Sequence, residues 1–151
     1  MVTMISVLIP TANSERELAS LLTVLVSAAV DGLVREVIVV DGGSTDATLA
    51  VCEDAGADVT ADLAGALRRA KGDYLLALPV DLRLRPGWDE SVRRHLEAGG
   101  GPALLVERPP GLIERLTGPK VAGALLPAQR AEGARDIADL RRRVGRATVL
   151  S

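Results

Sequence analysis

Arg35-Glu36-Val37-Ile38-Val39-Val40-Asp41-Gly42-Gly43-Ser44-Thr45-Asp46-Ala47-Thr48 is the stretch on which the reading of this chain turns. Glu36 to Val40 is a short β-branched run without polar alternation, as expected of a strand covered on both faces in a mostly parallel sheet. Gly42 and Gly43 let the backbone turn, and Ser44 or Asp46 then offers an oxygen to the free N–H groups that open a following helix. Asp41 is thereby placed at the carboxyl end of a central strand. Ligands of open α/β sheets bind in the crevice outside that end, so Asp41 and Asp46 are the first site candidates. For Asp41 the alternative is a role in stabilising the turn.

Upstream, Ile5 to Pro10 is a first apolar strand, and Ser14 with Glu17 has the spacing of a capping box. Leu18, Leu21, Leu22, Leu25 and Val26 recur at helical intervals behind it and predict an amphipathic helix to about Ala29. Downstream, a helix is expected from about Asp46 to Ala55 with Leu49 and Cys52 facing inward, then a short strand at Ala57 to Thr60 and a helix over Asp62 to Ala70. Tyr74 to Leu78 is a fourth strand that runs into Pro79-Val80-Asp81, which puts a second carboxylate at a strand end. Trp88, Val92 and Leu96 give the next helix an inner stripe, and Ala103 to Val106 is a fifth strand. Beyond Pro109-Pro110 the expected pieces are shorter. They are a helix near Leu112 to Leu116, an apolar segment Val121 to Leu126, a helix over Ile137 to Arg143 and a last strand at Ala147 to Leu150.

Composition narrows the function classes. The chain has 151 residues, the size of one domain that buries its own core without a staple. The single cysteine, Cys52, excludes an internal disulfide, points to a reducing compartment and reads as a small buried apolar residue. A net charge of −2 supplies no basic field for nucleic acid, so no nucleic-acid partner is expected. No apolar run reaches the length of a membrane span and the N-terminus lacks the pattern of a signal peptide; a cytoplasmic location is the expectation. With no Phe, one Tyr and one Trp, the core must be Leu, Val, Ile and Ala. Trp88 is expected in that core, and His95 at the surface or in a structural role. Arg141 to Arg143 reads as a solvated helix face, with a phosphate or anionic-lipid contact as the alternative.

Four segments taken together resemble the family 2 glycosyltransferases of the GT-A fold in order and interval. They are Ser6-Val7-Leu8-Ile9-Pro10-Thr11 with Asn13, Glu36 through Asp46, Gly72-Asp73-Tyr74-Leu75-Leu76, and Arg85-Pro86-Gly87-Trp88. The resemblance implies an α/β fold, a three-layer α/β/α sandwich with a mostly parallel, Rossmann-like central sheet. It also implies one domain over residues 1–151, with a nucleotide-binding part at 1–106 and an abbreviated acceptor part at 107–151. The implied partner is a nucleotide or nucleotide sugar, and the implied reaction moves a sugar from a nucleotide-diphosphate donor to an acceptor hydroxyl. Carried over by position, Pro10, Thr11, Asn13 and Asp41 would line the base pocket, with Asp46 nearby. Asp81 would be the second carboxylate of an Asp-x-Asp signature that holds ribose, diphosphate and a divalent metal, Mg²⁺ or Mn²⁺.

The chain departs from the family pattern at defined positions. Asn13 is followed by Ser14, which leaves Glu15 one place late, and Pro79 stands where the signature has its first carboxylate. Ala61-Asp62-Leu63-Ala64-Gly65 lacks the Arg and Asn that the family places near the sugar diphosphate. Asp136-Ile137 stands where the family has the Glu-Asp pair of its catalytic base, so Asp136 is the remaining candidate base; its alternative role is a helix N-cap. Two functional classes follow: a glycosyltransferase with an impaired metal site, and a catalytically inactive relative kept as a nucleotide-binding or interaction module. A nucleotidyltransferase is disfavoured, because Thr11 to Arg16 is not a glycine-rich basic loop. The abbreviated second half is expected to leave apolar surface that another copy covers, so a homo-oligomer is expected.

Overall fold

The computed structural model describes residues 3–108, 111–117, 119, 121–145 and 148–151. In chain order the elements are β1 (Ile5–Thr11), α1 (Glu15–Val30), β2 (Val34–Asp41), α2 (Thr48–Ala55), β3 (Asp58–Thr60), α3 (Leu63–Arg69), β4 (Tyr74–Ala77) and α4 (Trp88–Glu97). They continue with β5 (Ala103–Leu105), α5 (Leu112–Thr117), β6 (Gly123–Pro127), a 3-10 turn at Ala128–Ala131, α6 (Ile137–Val144) and β7 (Thr148–Leu150). The seven strands form one sheet in the order β3-β2-β1-β4-β6-β5-β7, and β6 alone runs against its neighbours. This is the mostly parallel α/β arrangement that the apolar runs predict.

Two apolar layers sandwich the sheet. Val7, Ile9 and Val39 on one face pack with Leu18, Leu22 and Leu25 of α1, Cys52 of α2 and Trp88 and Val92 of α4. Leu8, Ile38 and Leu75 on the other face pack with Leu63 and Ala66 of α3 and Leu140 and Val144 of α6. Trp88 is thus a core residue, only 4% exposed. His95 is half-buried, with Nε2 3.0 Å from the Gly101 carbonyl, a structural contact.

The amino edge of the sheet fixes how the strands line up. Ser6, fully buried in β1, donates to Glu36 Oε2 of β2 at 2.5 Å and accepts the Gly72 N–H at 2.8 Å. The buried hydroxyl is therefore satisfied twice. Gly72 is needed for this approach, since a Cβ there would stand 2.5 Å from the Ser6 nitrogen. With β1 held against β2 and β4 at this end, the register places Thr11 opposite Asp41 at the other.

Some local expectations fail for identifiable reasons. Ser14 is no side-chain cap: its hydroxyl donates to the Ala12 carbonyl at 3.0 Å. Helix α2 begins at Thr48, and Thr48 and Cys52 face inward while Leu49 is 46% exposed. Thr48 displaces Leu49 because its hydroxyl is needed inside, where it bonds Asp46. Val26 likewise turns outward, 47% exposed, since Leu25 and Ala28 already fill the inner face of α1. Among the described residues no helix is long and apolar enough to cross a membrane.

Candidate functional site

Strands β1, β2, β3 and β4 all point the same way, so their carboxyl ends open onto one edge. The chain passes from β1 to its neighbour β2 on one side and returns to β4 on the other, which makes the β1 end a topological switch point. Thr11, Asn13, Asp41 and Asp46 collect there, and Asp81 follows β4 across β1 from them.

Asp41 is the centre of a local network. Its Oδ2 accepts the N–H groups of Gly43 at 3.2 Å and Ser44 at 3.0 Å, and its Oδ1 accepts the Ser44 hydroxyl at 2.5 Å. That hydroxyl holds the Asp41 carboxyl below the ordinary carboxylate value, helped by the two N–H groups and opposed by burial and the nearby Asp46 charge. Asp41 is therefore ionised at neutral pH and serves the turn; the turn role and a ligand role are compatible, since a carboxylate has about four acceptor sites.

Asn13 locks the first loop to this turn. Its backbone is left-handed, with φ 50°, a conformation that Asn tolerates better than most residues. The conformation aims its side-chain carbonyl at the Thr45 N–H, 2.8 Å away, and the Asp46 N–H, 3.3 Å away. In return the Asn13 N–H donates to the Ser44 hydroxyl oxygen at 2.9 Å. Asp46 completes the link: its Oδ1 accepts the Thr48 N–H at 3.0 Å and the Thr48 hydroxyl at 2.5 Å, and its Oδ2 accepts the Glu15 N–H at 3.4 Å. Bonding to the Thr48 hydroxyl is the main reason that the Asp46 carboxyl lies below its ordinary value. Sequence reasoning named Asn13, Asp41 and Asp46 but gave no role to Thr48 and only a capping role to Ser44. Their signal is the short spacing of a hydroxyl two or three positions after each carboxylate.

Thr11 stands apart from this network although it adjoins it. Only 8% exposed and opposite Asp41 in register, it has a side-chain hydroxyl without any hydrogen-bond partner. A buried hydroxyl left unpaired costs stability. Pro10, half-buried, precedes it opposite Val40.

Asp81 is exposed and makes no hydrogen bond or ion pair among the described residues. It sits in a turn closed by the Leu82 N–H on the Pro79 carbonyl at 3.1 Å. A groove of about 260 Å³ runs beside it between α1 and the 80–84 segment, with Arg16, Asp81 and Arg83 in its lining. A divalent ion held by protein alone needs several oxygen ligands. Among the described residues no cluster of three or more His, Cys, Asp or Glu side chains is arranged to hold one. Asp81 therefore fits a metal only as a single ligand beside oxygens that a phosphate would bring.

Asp136 is the N-cap of α6: its Oδ1 accepts the Asp139 N–H at 2.7 Å. Helix α6 belongs to the layer of α3, and no hydrogen bond joins Asp136 to Asp41 or Asp81. Asp139 accepts from Arg143, which in turn donates to the carbonyls of Arg130 and Glu132, so it clamps α6 to the turn after β6. The structure thus brings Thr11, Asn13, Asp41 and Asp46 together, sets Asp81 across β1 from them, and gives Asp136 a capping bond.

Comparison with known proteins agrees with this fold. The profile of Glycosyl transferase family 2 matches residues 6–126. Glucosyl-3-phosphoglycerate synthase of Mycobacterium tuberculosis is 34% identical over 125 residues, which cover 79% of this chain and 34% of that protein. The chain thus spans about a third of the length of the curated relatives it matches. Among solved structures, the same enzyme in complex with phosphoglyceric acid superposes with a TM-score of 0.72 at 22% identity, covering 97% of this chain and 69% of that one. A second, in complex with Mn²⁺, UDP and glucosyl-3-phosphoglycerate, gives 0.69 at 22% identity with the same coverage. Mannosyl-3-phosphoglycerate synthase of Rubrobacter xylanophilus gives 0.71 at 18% identity, covering 97% of this chain and 65% of that one. The higher identity belongs to the shorter alignment, and the superpositions establish the fold.

Proposed function

This chain belongs to glycosyl transferase family 2, and we propose that its switch-point edge binds a nucleoside-diphosphate sugar and transfers the sugar to an acceptor hydroxyl. The observation that carries the proposal is the buried, unpartnered Thr11 hydroxyl opposite the Asp41 turn, which Asn13 ties to the loop after β1. In this reading Pro10, Thr11, Asn13 and Asp41, with Asp46 behind them, form the base pocket, and Asp81 faces the diphosphate. The acceptor oxygen attacks the sugar carbon, the bond to the diphosphate breaks, and a base removes the hydroxyl proton. Asp136 is the proposed base, since one of its oxygens remains without a partner. Mg²⁺ or Mn²⁺ would supply charge neutralisation at the diphosphate through Asp81. Residues 1–106 would hold the donor and residues 107–151 the acceptor, within one domain that self-associates. The related synthase binds UDP and Mn²⁺, which supports a uridine nucleotide as the first ligand to try.

Pro79 favours a second reading, a domain that binds nucleotide without turnover, because it leaves Asp81 as a lone carboxylate. A thermal-shift screen of UDP, GDP and ADP and their sugars, with and without Mn²⁺, tests binding. A ligand at 100 times its Kd stabilises by about 2.7 kcal/mol. No shift with any of them would overturn both readings, and a shift without sugar release would select the second.

A further inference from the structure

Helix α1 and the segment after β4 build the groove of about 260 Å³ between them, and each supplies it with one cation and one carboxylate. From α1 come Arg16, Ser20 and Val24, four residues apart and so on one stripe of the helix, with Glu17 beside the first of them. In the segment after β4, Leu82 is buried and Val80 and Leu84 pack against the core, which leaves Asp81 and Arg83 exposed between them. None of these four charged side chains makes a hydrogen bond or ion pair among the described residues. Arg85, two positions on, lines the neighbouring groove with Trp88 instead.

Both cations belong to the switch-point edge. Helix α1 starts just after β1 ends, so Arg16 in its first turn stands at that edge, and Asp81 and Arg83 follow the carboxyl end of β4, the neighbour of β1. The first turn of α1 is held from the loop after β2: the Glu15 N–H donates to Asp46 Oδ2 at 3.4 Å and the Ser14 N–H to the Thr48 hydroxyl at 3.2 Å. The bond from the Leu82 N–H to the Pro79 carbonyl closes the turn on the other side. Arg16 and Arg83 are thus carried on braced backbone beside Asp81, where Pro79 contributes no second carboxylate for a metal.

We propose that Arg16 and Arg83 hold the diphosphate of the donor, so that the nucleotide binds here without a metal ion; this deepens the transferase reading and rests on its nucleotide site. A guanidinium presents its N–H groups in a planar fork that fits two phosphate oxygens, stays charged at any working pH and is less strongly hydrated than an ammonium. Two of them supply from the protein a share of the neutralisation that a lone Asp81 with its ion supplies poorly. The two carboxylates of the groove then act with definite signs. Glu17 repels the diphosphate and weakens its binding. Asp81 repels it when no ion is present and attracts it through an ion when one is.

The test is titration calorimetry of the full chain with UDP, GDP and ADP, first in excess EDTA and then with Mn²⁺. At least one of them should bind in EDTA, and Arg16→Ala and Arg83→Ala should each weaken that binding by about tenfold or more. Both side chains are exposed, so the urea midpoints of the variants should hold. Arg83→Lys should fall between the natural protein and the alanine variant. The corresponding nucleoside, which has no phosphate, should bind the natural protein and both alanine variants alike, a result that a merely structural role would not give. Arg85→Ala removes the same charge from the neighbouring groove and should change little. Glu17→Gln should tighten binding in EDTA; Asp81→Asn should do the same there and lose the gain that Mn²⁺ brings. Binding that requires Mn²⁺, binding in EDTA undiminished in both alanine variants, or an Arg85→Ala variant as weak as they are would each overturn the proposal and leave the nucleotide reading standing. No binding of any of the three, with or without Mn²⁺, would overturn that reading and the proposal with it.

Discussion

Asn13 and Thr45 are joined by a 2.8 Å hydrogen bond from the Thr45 N–H to the Asn13 side-chain carbonyl, across 32 positions of sequence. This contact makes one rigid rim from the loops after β1 and β2, and through Ser44 it also sets the position of Asp41. Asn13→Gly keeps the left-handed backbone accessible and removes only the side chain. A loss of about 0.5–1.5 kcal/mol in urea unfolding is expected. The loss of nucleotide affinity should be larger, because the rim loses its preorganisation. Equal affinity in the two proteins, measured by titration calorimetry with UDP, would detach Asn13 from the site.

Thr11 makes a prediction with two signs. Thr11→Val preserves shape and removes a buried hydroxyl that has no partner, so the ligand-free protein should gain about 1–3 kcal/mol. If that hydroxyl waits for a ligand, the same change should reduce the melting shift produced by nucleotide. A more stable protein with an undiminished shift would leave Thr11 a plain packing residue.

Acid sensitivity should pass through Ser44. Its hydroxyl is the main cause of the depressed Asp41 value. A carboxyl depressed in the folded state stabilises above its unfolded value, about 3.9, and that contribution is lost as pH falls through the folded value. Ser44→Ala brings the folded value back toward the ordinary one. The variant should therefore be less stable near neutral pH, and the difference should close as both carboxyls protonate in acid. Urea midpoints followed from neutral pH downward test this; a gap that stays constant into strong acid would show that Ser44 acts by packing instead.

The sheet was legible in the sequence because uninterrupted runs such as Val37 to Val40 occur only where both faces are covered. The reversal of β6 was not, since Gly123-Ala124-Leu125-Leu126 reads as a strand in either direction, and direction is set by its partners β4 and β5. Leu49 misled for a related reason: apolarity favours the inside locally, but Thr48 is required there by a bond to Asp46 and by the Ser14 N–H, which reaches its hydroxyl from 34 positions away. At the site, the Asp-Gly-Gly-Ser-Thr-Asp run announced Asp41 and Asp46. The orphaned Thr11 hydroxyl depends on what three strands do not supply, which no local pattern records.

Self-association has a testable address on α1. Val26 and Val30, one turn apart, are 47% and 83% exposed, and neither contributes to the core. Val30→Ser should leave the unfolding midpoint nearly unchanged, as expected for an exposed site. Sedimentation velocity should show a dimer for the natural protein and a shift toward monomer for the variant. A natural protein that remains monomeric at micromolar concentration would remove self-association from the functional reading.

Pro79 sets the last expectation, which concerns catalysis. Its carbonyl closes the turn that carries Asp81, and its side chain contributes no acceptor where a carboxylate would give the metal a second ligand. Asp81 alone offers too few oxygens, so Mn²⁺ should bind appreciably only when a nucleoside diphosphate brings its own. Stabilising the charge that develops on a departing diphosphate is commonly the largest catalytic contribution, and sugar release by the natural protein should accordingly lie near background. Pro79→Asp restores the missing carboxylate at the cost of about 0.4–1 kcal/mol from a freer unfolded chain. In calorimetry with UDP present, the variant should bind Mn²⁺ about tenfold more tightly, equivalent to about 1.4 kcal/mol, and donor-sugar hydrolysis should rise with it. Tight Mn²⁺ binding by the natural protein without nucleotide, or brisk Mn²⁺-dependent hydrolysis by it, would mean that residues other than Asp81 complete the site when ligand binds, and that the substitution at position 79 has not impaired the enzyme.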